Sequence, residues 1–175
     1  MAKVKAKKAA PKKAPAAKKV VASAKAMAKA KAIAPAKGTV PSKVNPLAPG
    51  MQWVNPYLTV KDPTAAIAFY EKAFGFTTKF KFEDKEGKVQ HAEITHKTGT
   101  IMLGPECPEK GGTSPSTLKG TTIGLCVYVD NIDTFFANAK NAGAKVVEEP
   151  KDQFWGDRCA ALQDPEGHSW YFMTH

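Results

Sequence analysis

The sequence predicts an α+β domain built from two paired β-α-β-β-β modules, preceded by a basic tail. Three observations carry this prediction. The segment Met51–His175 repeats its own pattern at an offset of 68 residues: Gly75 matches Gly143, and Gly99 matches Gly167. Within each copy, an alternating apolar run precedes a helical stripe, and further alternating runs follow. Finally, the composition changes abruptly near residue 48. Residues 1–48 hold 13 lysines, no acid and no aromatic, whereas residues 49–175 hold 13 Lys/Arg against 16 Asp/Glu, a net charge of −3. The formal charge of +10 is therefore a property of the tail.

Each element follows from local chemistry. Trp53–Val60 alternates and is expected to form a strand with one apolar face. Asp62-Pro63 places an N-cap and a first-turn proline, Ile67, Tyr70 and Phe74 form one helical stripe, and Gly75 supplies the stop. Phe76–Phe82, Val89–Thr95 and Thr100–Gly104 are the next three strands, joined by turns at Asp84–Lys88 and Lys97–Gly99. Residues 105–119 form a polar linker. The second module then reads Thr121–Val129 as strand, Asp130 as helix cap, Gly143 as helix end, and Lys145–Glu148, Phe154–Leu162 and His168–Thr174 as strands. Two such modules at roughly 51–104 and 120–175 can form a curved, mostly antiparallel sheet cup with helices outside, a domain over 49–175 of ordinary size.

The tail, 1–48, cannot bury enough apolar surface to offset its ordering entropy and is expected to be disordered. It has no secretory h-region, and no apolar run approaches the length of a membrane span. Cys107, Cys126 and Cys159 show no metal-type spacing, and reduced thiols in a cytoplasm are the expectation. Lysines without acids could neutralise nucleic-acid phosphates without sequence preference, or simply solubilise the chain. No aromatic interleaves them, so base stacking is not offered.

The ordered motifs Phe69-Tyr70-Glu-Lys-Ala-Phe-Gly75, His91-Ala-Glu-Ile94, Trp155-Gly-Asp-Arg158, Asp164-Pro-Glu-Gly-His-Ser-Trp170 and Thr174-His175 resemble the glyoxalase/bleomycin resistance/dioxygenase (vicinal oxygen chelate) superfamily, and most of all its PhnB-like branch. The resemblance covers residues 51–175. It implies the paired-module fold, frequent homodimers, and chemistry ranging from drug sequestration to lyase and dioxygenase reactions. Metal-dependent members draw His, Gln or Glu from the first and fourth strands of each module. Those positions map to Asn55, Leu103, Gly124 and Tyr171, none a good ligand, and a register slip of one does not change this. No metal and no cofactor is therefore expected. Metal-dependent glyoxalase or extradiol dioxygenase activity is disfavoured.

His91, Glu93 and Thr95 share one face of the third strand, with Ala92 and Ile94 on the other. In this architecture the polar face lines the cup, so His91 and Glu93 are candidates for a base and its carboxylate partner. A solvated ion pair is the equal alternative. Trp155, Asp157 and Cys159 occupy the matching face of the second module. Trp155 could stack a ligand or simply pack, Asp157 could pair with Arg158, and Cys159 suits a packing residue better than a nucleophile. Tyr171 is a candidate acid or ligand donor; Asn55 and Tyr57 face the same way. The expected partners are a small organic ligand, a second copy of the chain and, through residues 1–48, nonspecific nucleic acid, with no membrane. Metal-independent binding of a small molecule leads the functional readings, ahead of a lyase or dioxygenase-type enzyme using His91, Glu93 and Tyr171.

Overall fold

The computed structural model describes residues 45–175. The expected tail lies outside the described residues except for its last few. The two modules run β1 (Tyr57–Val60), α1 (Pro63–Phe74), β2 (Thr77–Glu83), β3 (Val89–His96), β4 (Gly99–Pro105), then β5 (Gly124–Tyr128), α3 (Ile132–Asn141), β6 (Lys145–Asp152), β7 (Arg158–Gln163) and β8 (Ser169–Thr174). The linker contributes a 3-10 turn at Pro108–Lys110 and a short helix, α2 (Pro115–Leu118). Each module forms a four-stranded sheet, in the orders β1-β4-β3-β2 and β5-β8-β7-β6. The pairings β1–β4 and β5–β8 are parallel and the rest antiparallel. The α+β class and the repeated β-α-β-β-β unit are thus present as read from the repeat.

Local chemistry sets the first helix. The Asp62 carboxylate accepts the Thr64 and Ala65 amides at 2.9 and 3.1 Å, Pro63 occupies the first turn where a missing N–H costs nothing, and Gly75 ends the helix at φ 65°. Ile67, Tyr70 and Phe74 are buried along its inner stripe. The second helix departs from expectation by one residue. Asn131, not Asp130, is the cap, accepting the Thr134 amide at 2.9 Å. Asp130 is drawn instead to the Lys97 ammonium at 2.7 Å, a charge the sequence alone does not place there.

The first strand begins at Tyr57 rather than Trp53. Asn55 and Gln52 close a turn on each other, with Asn55 Nδ2 donating to the Gln52 carbonyl and the Gln52 amide donating to Asn55 Oδ1. Pro56 brings no amide to the ladder, although its carbonyl accepts from the Met102 amide at 2.9 Å. Likewise β7 begins at Arg158, because residues Phe154–Asp157 form a turn with Gly156 at φ 102°.

The core is shared by the modules. Phe74 of α1 lies 5.1 and 4.8 Å, ring centre to ring centre, from Trp170 and Phe172 of β8, and 5.9 Å from Phe135 of α3. Tyr70 and Trp170 both donate to the buried Asp164 Oδ2 at 2.8 Å, and Asp164 Oδ1 accepts the His168 amide at 2.9 Å. His168 Nε2 meets the Thr59 carbonyl at 3.1 Å, and the Glu166 carboxylate accepts the Lys61 amide. The Asp164–Gly167 turn therefore clamps the second module onto the first strand of the first. Gly167 sits at φ 89°, and a Cβ there would stand 2.9 Å from the Ser116 amide nitrogen, so the turn requires glycine on two counts.

Candidate functional site

Strand parity divides each sheet into a face covered by helices and an open face. In the first module Leu58, Val60, Ala92, Ile94 and Leu103 are buried on the covered face. Tyr57, Phe80, Phe82, His91, Glu93 and Met102 fall on the other, as the registers Tyr57↔Met102, Glu93↔Met102, Phe80↔Glu93 and Phe82↔His91 require. In the second module the rows Cys126↔Tyr171↔Ala161 and Tyr128↔Met173↔Cys159 share the open face, while Trp170 and Phe172 are buried behind it. Parity in the sequence thus brings together His91, Glu93 and Tyr57 in one cluster and Tyr171 and Cys159 in another. Asn55 stands apart in its turn before β1.

One of the ligand-equivalent positions needs correction. Leu103 pairs with Leu58 and Ala92 and is fully buried against the helix side, so the open-face residues of β4 are Met102 and Gly104. A tyrosine then lies over a glycine in each module, with the strands exchanged: Tyr57 of β1 over Gly104 of β4, and Tyr171 of β8 over Gly124 of β5. A Cβ added at Gly104 would overlap the Tyr57 hydroxyl, and one added at Gly124 would overlap the Tyr171 ring. Gly104, Gly124 and Tyr171, at three of the four ligand-equivalent positions, are thus taken up by these tyrosine–glycine contacts, and the fourth, Asn55, is closed in its turn with Gln52. A phenol over bare backbone does not fit a divalent ion that selects imidazole and carboxylate. Among the described residues no group of three His, Cys, Asp or Glu side chains converges in a way that could hold a metal ion.

In the first cluster the Tyr57 and His91 rings stack at 5.9 Å. The Glu93 carboxylate binds the Lys79 ammonium at 3.0 Å, where an irregularity in the β2–β3 ladder between Thr78 and Phe80 frees Lys79 from register. His91 Nε2 stands 3.9 Å from Glu93, beyond hydrogen-bond length.

The second cluster is organised by Asp157, a residue whose environment departs from its expected pairing. Asp157 does not pair with Arg158, which reaches away to Asp133 of α3 and to Asp152, each at 2.9 Å. Successive residues point to opposite faces, so Asp157 turns inward as Arg158 turns out. Its buried carboxylate accepts three ring donors: the Tyr128 hydroxyl at 2.9 Å and Trp155 Nε1 at 3.1 Å on Oδ2, and His175 Nδ1 at 2.8 Å on Oδ1. The hydrogen bond from His175 is the main reason its pKa is held below the usual carboxylate range; burial opposes this, and Tyr128 and Trp155 add to it. The same carboxylate pushes the Tyr128 phenol up. Burial first, then the Asp157 charge, pushes the Cys159 thiol up, which works against a thiolate nucleophile.

His175 and Tyr128 escaped the site reading, although one signal pointed to them. Extending the parity of Tyr171 and Met173 by two residues places His175 on the open face, and Cys126 carries Tyr128 there in the same way. A cavity of about 350 Å³ also opens between the modules, lined by Phe76, His96 and Ile101 on one side and by Leu125, Val127 and Tyr128 on the other.

Comparison with known proteins agrees with this architecture. The family model of the glyoxalase/bleomycin resistance protein/dioxygenase superfamily matches residues 50–172. The chain belongs to that superfamily. Uncharacterized proteins of Mycobacterium bovis and Mycobacterium tuberculosis are each 39% identical over 120 residues; the match covers 67% of this chain and 79% and 71% of theirs. Among solved structures, TioX from Micromonospora sp. ML1 is similar at 26% identity and a TM-score of 0.56, over 71% of this chain and 96% of that one. A hypothetical protein from S. aureus shares the fold at 22% identity and a TM-score of 0.55, over 71% and 97%.

Proposed function

We propose that this domain binds a small, flat organic molecule against the open faces of its sheets, without a divalent ion, in a cavity closed by a second copy of the chain. The observation that carries this reading is the placement of the exposed rings. Tyr57, Phe80 and Phe82 on the first open face, and Tyr128, Trp155 and Tyr171 on and beside the second, are each about half exposed. Soluble monomers rarely leave contiguous apolar surface of this kind uncovered. Ring-lined concave surfaces with a few placed polar groups are how small-molecule sites are built. Superfamily membership supports the reading, and the motif set favours the PhnB-like branch. Tyr57, His91, Trp155, Asp157, Cys159 and Tyr171 are the ligand-facing residues in this reading, with Asn55 at the rim.

A lyase or dioxygenase-type enzyme on the same faces would rely on His91, Glu93 and Tyr171. Glu93 engaged by Lys79 leaves His91 without a carboxylate partner, which favours binding over that chemistry. A cytoplasmic setting accompanies the reading, supported by three free thiols. Among the described residues no helix is long and apolar enough to cross a membrane.

The test combines two measurements on the full chain. Light scattering is expected to give a dimer. Titration with a library of planar aromatic compounds is expected to quench tryptophan fluorescence saturably, with the quenched component lost in Trp155→Phe. A monomer that no compound quenches saturably would sink the reading.

The composition of residues 1–48 supports a second, separate reading: nonspecific association with nucleic acid through the tail. Its expected signature is affinity for duplex DNA that falls steeply and linearly on a log–log plot against salt. Deleting residues 1–48 should abolish it, and unchanged binding by the truncated chain would refute it.

A further inference from the structure

The Asp157 cluster carries a chemical function that the pocket reading does not require. His175 Nδ1 lies 2.8 Å from Asp157 Oδ1, and its side chain is otherwise 81% exposed. A carboxylate accepts but does not donate, so this contact places the imidazole proton on Nδ1. Nε2 is then left as a free lone pair directed away from Asp157. A buried carboxylate that fixes one imidazole tautomer and stabilises the imidazolium once formed is the arrangement that makes histidine an effective proton acceptor. Two further features make this a built arrangement rather than a chance surface contact. Asp157 is buried, and its second oxygen is already committed to the Tyr128 hydroxyl and Trp155 Nε1, so it cannot swing away from His175 without stranding two ring donors. The His175 ring also packs over the Gly156 turn, where a Cβ would stand in ordinary van der Waals contact at 3.5 Å from Cε1.

The surroundings define what the acceptor would meet. Tyr128, Trp155 and His175 are three rings anchored at one carboxylate, each with an exposed portion. The titratable groups on this face are Asp157, Tyr128, Cys126, Cys159, Tyr171 and His175, with Glu148 and Lys151 of β6 in register with Ala161 and Cys159. Of these, Cys159 and Tyr128 are pushed toward their neutral forms, and His175 Nε2 is the imidazole lone pair left uncommitted by the Asp157 contact.

We propose that His175, oriented by Asp157, takes the proton of a weakly acidic hydroxyl, phenolic or enolic, on a flat ring seated against Trp155 and Tyr128. The proton passes from the ligand oxygen to His175 Nε2, leaving a ligand oxyanion beside an imidazolium whose Nδ1–H remains bonded to Asp157. No oxidant or co-reactant is needed. The proposal rests on the small-molecule reading above and names the ligand class for its second open face.

The experiment uses 4-nitrophenol, whose anion absorbs in the visible, and nitrobenzene as the matched ring without a hydroxyl. At a pH below the free probe's pKa, the wild-type chain is expected to raise the anion fraction of bound 4-nitrophenol at least threefold over the free probe. His175→Gln, a change at an exposed side chain that leaves the core untouched, should abolish that rise while retaining nitrobenzene binding. Asp157→Asn should also abolish it, and nitrogen NMR should show the Nδ1–H tautomer of His175 in wild type but not in this variant. Equal ionisation of the probe in wild type and His175→Gln would overturn the proposal. So would wild-type binding of nitrobenzene with no ionisation of bound 4-nitrophenol, and in that case the small-molecule reading would survive. If wild type bound neither compound, this proposal would fall, and the small-molecule reading would be decided by the library titration above.

Discussion

Replacing Phe74 with alanine is expected to destabilise the domain by about 3–5 kcal/mol, the range for truncating a buried aromatic ring. The placement of this ring puts the cost at the upper part of that range. Phe74 stacks on or tilts against Tyr70, Phe76, Phe135, Trp170 and Phe172, at centroid distances of 4.8 to 5.9 Å. These partners come from both helices and from both modules, and no single neighbour can swing in to fill the void. Against a total stability of about 5–15 kcal/mol, a loss of this size brings the folded state close to its limit. In urea the midpoint should drop sharply while the slope stays unchanged, as expected when stability alone is altered. Phe74→Leu keeps most of the volume and should cost less than half as much. If alanine at 74 cost under 1 kcal/mol, the two modules would not share one core.

What the sequence revealed of the fold depended on how local the cause was. The α1 helix was legible to the residue because Asp62, Pro63 and Gly75 settle its ends within their own neighbourhood. The start of β1 was not, because Asn55 turns back on Gln52, a choice between a side-chain hydrogen bond and a ladder that alternation cannot express. Asp130 reads as the cap in the sequence, but Lys97, 33 residues earlier, takes its carboxylate and Asn131 caps instead. The same limit governs the site. Parity placed His91, Glu93, Cys159 and Tyr171 on the open faces. It could not show that Lys79 would escape register and claim Glu93, or that Asp157 would choose His175 over its neighbour Arg158. Pairings set by turns and ladder irregularities lie beyond periodicity.

Two of the motifs that carry the family resemblance hold the molecule together. Tyr70 comes from the first motif, and Asp164, His168 and Trp170 from the fourth. The structure joins them at one buried carboxylate. The first and fourth motifs mark the joint between modules and report the fold clearly, whereas the motifs at His91–Ile94, Trp155–Arg158 and Thr174–His175 lie on or beside the open faces, where residue type alone names no reaction.

That joint yields the second large effect. Asp164→Ala is expected to cost about 3 kcal/mol or more, because it leaves the Tyr70 hydroxyl and the Trp170 indole N–H without an acceptor at sites closed to water, and each stranded donor costs about 1–3 kcal/mol. Asp164→Asn should be milder. Its single amide oxygen can still receive both rings, but its NH2 would then face the His168 amide, donor against donor. Tyr70→Phe removes one donor rather than the acceptor and should cost only about 1–2 kcal/mol at neutral pH. It also carries a pH signature. Burial first, then the Asp164 charge and hydrogen bond, raise the Tyr70 pKa well above its ordinary value. The neutral phenol is therefore favoured by the fold, so this contribution is fully present below about pH 10, where an unfolded tyrosine ionises, and is lost as pH rises beyond it. Wild-type stability should fall across that alkaline range, and Tyr70→Phe should flatten part of the fall. Urea midpoints measured at neutral pH and at intervals above pH 10 decide the matter. A Tyr70→Phe curve parallel to wild type throughout would mean that the Tyr70 phenol is not held neutral at the joint.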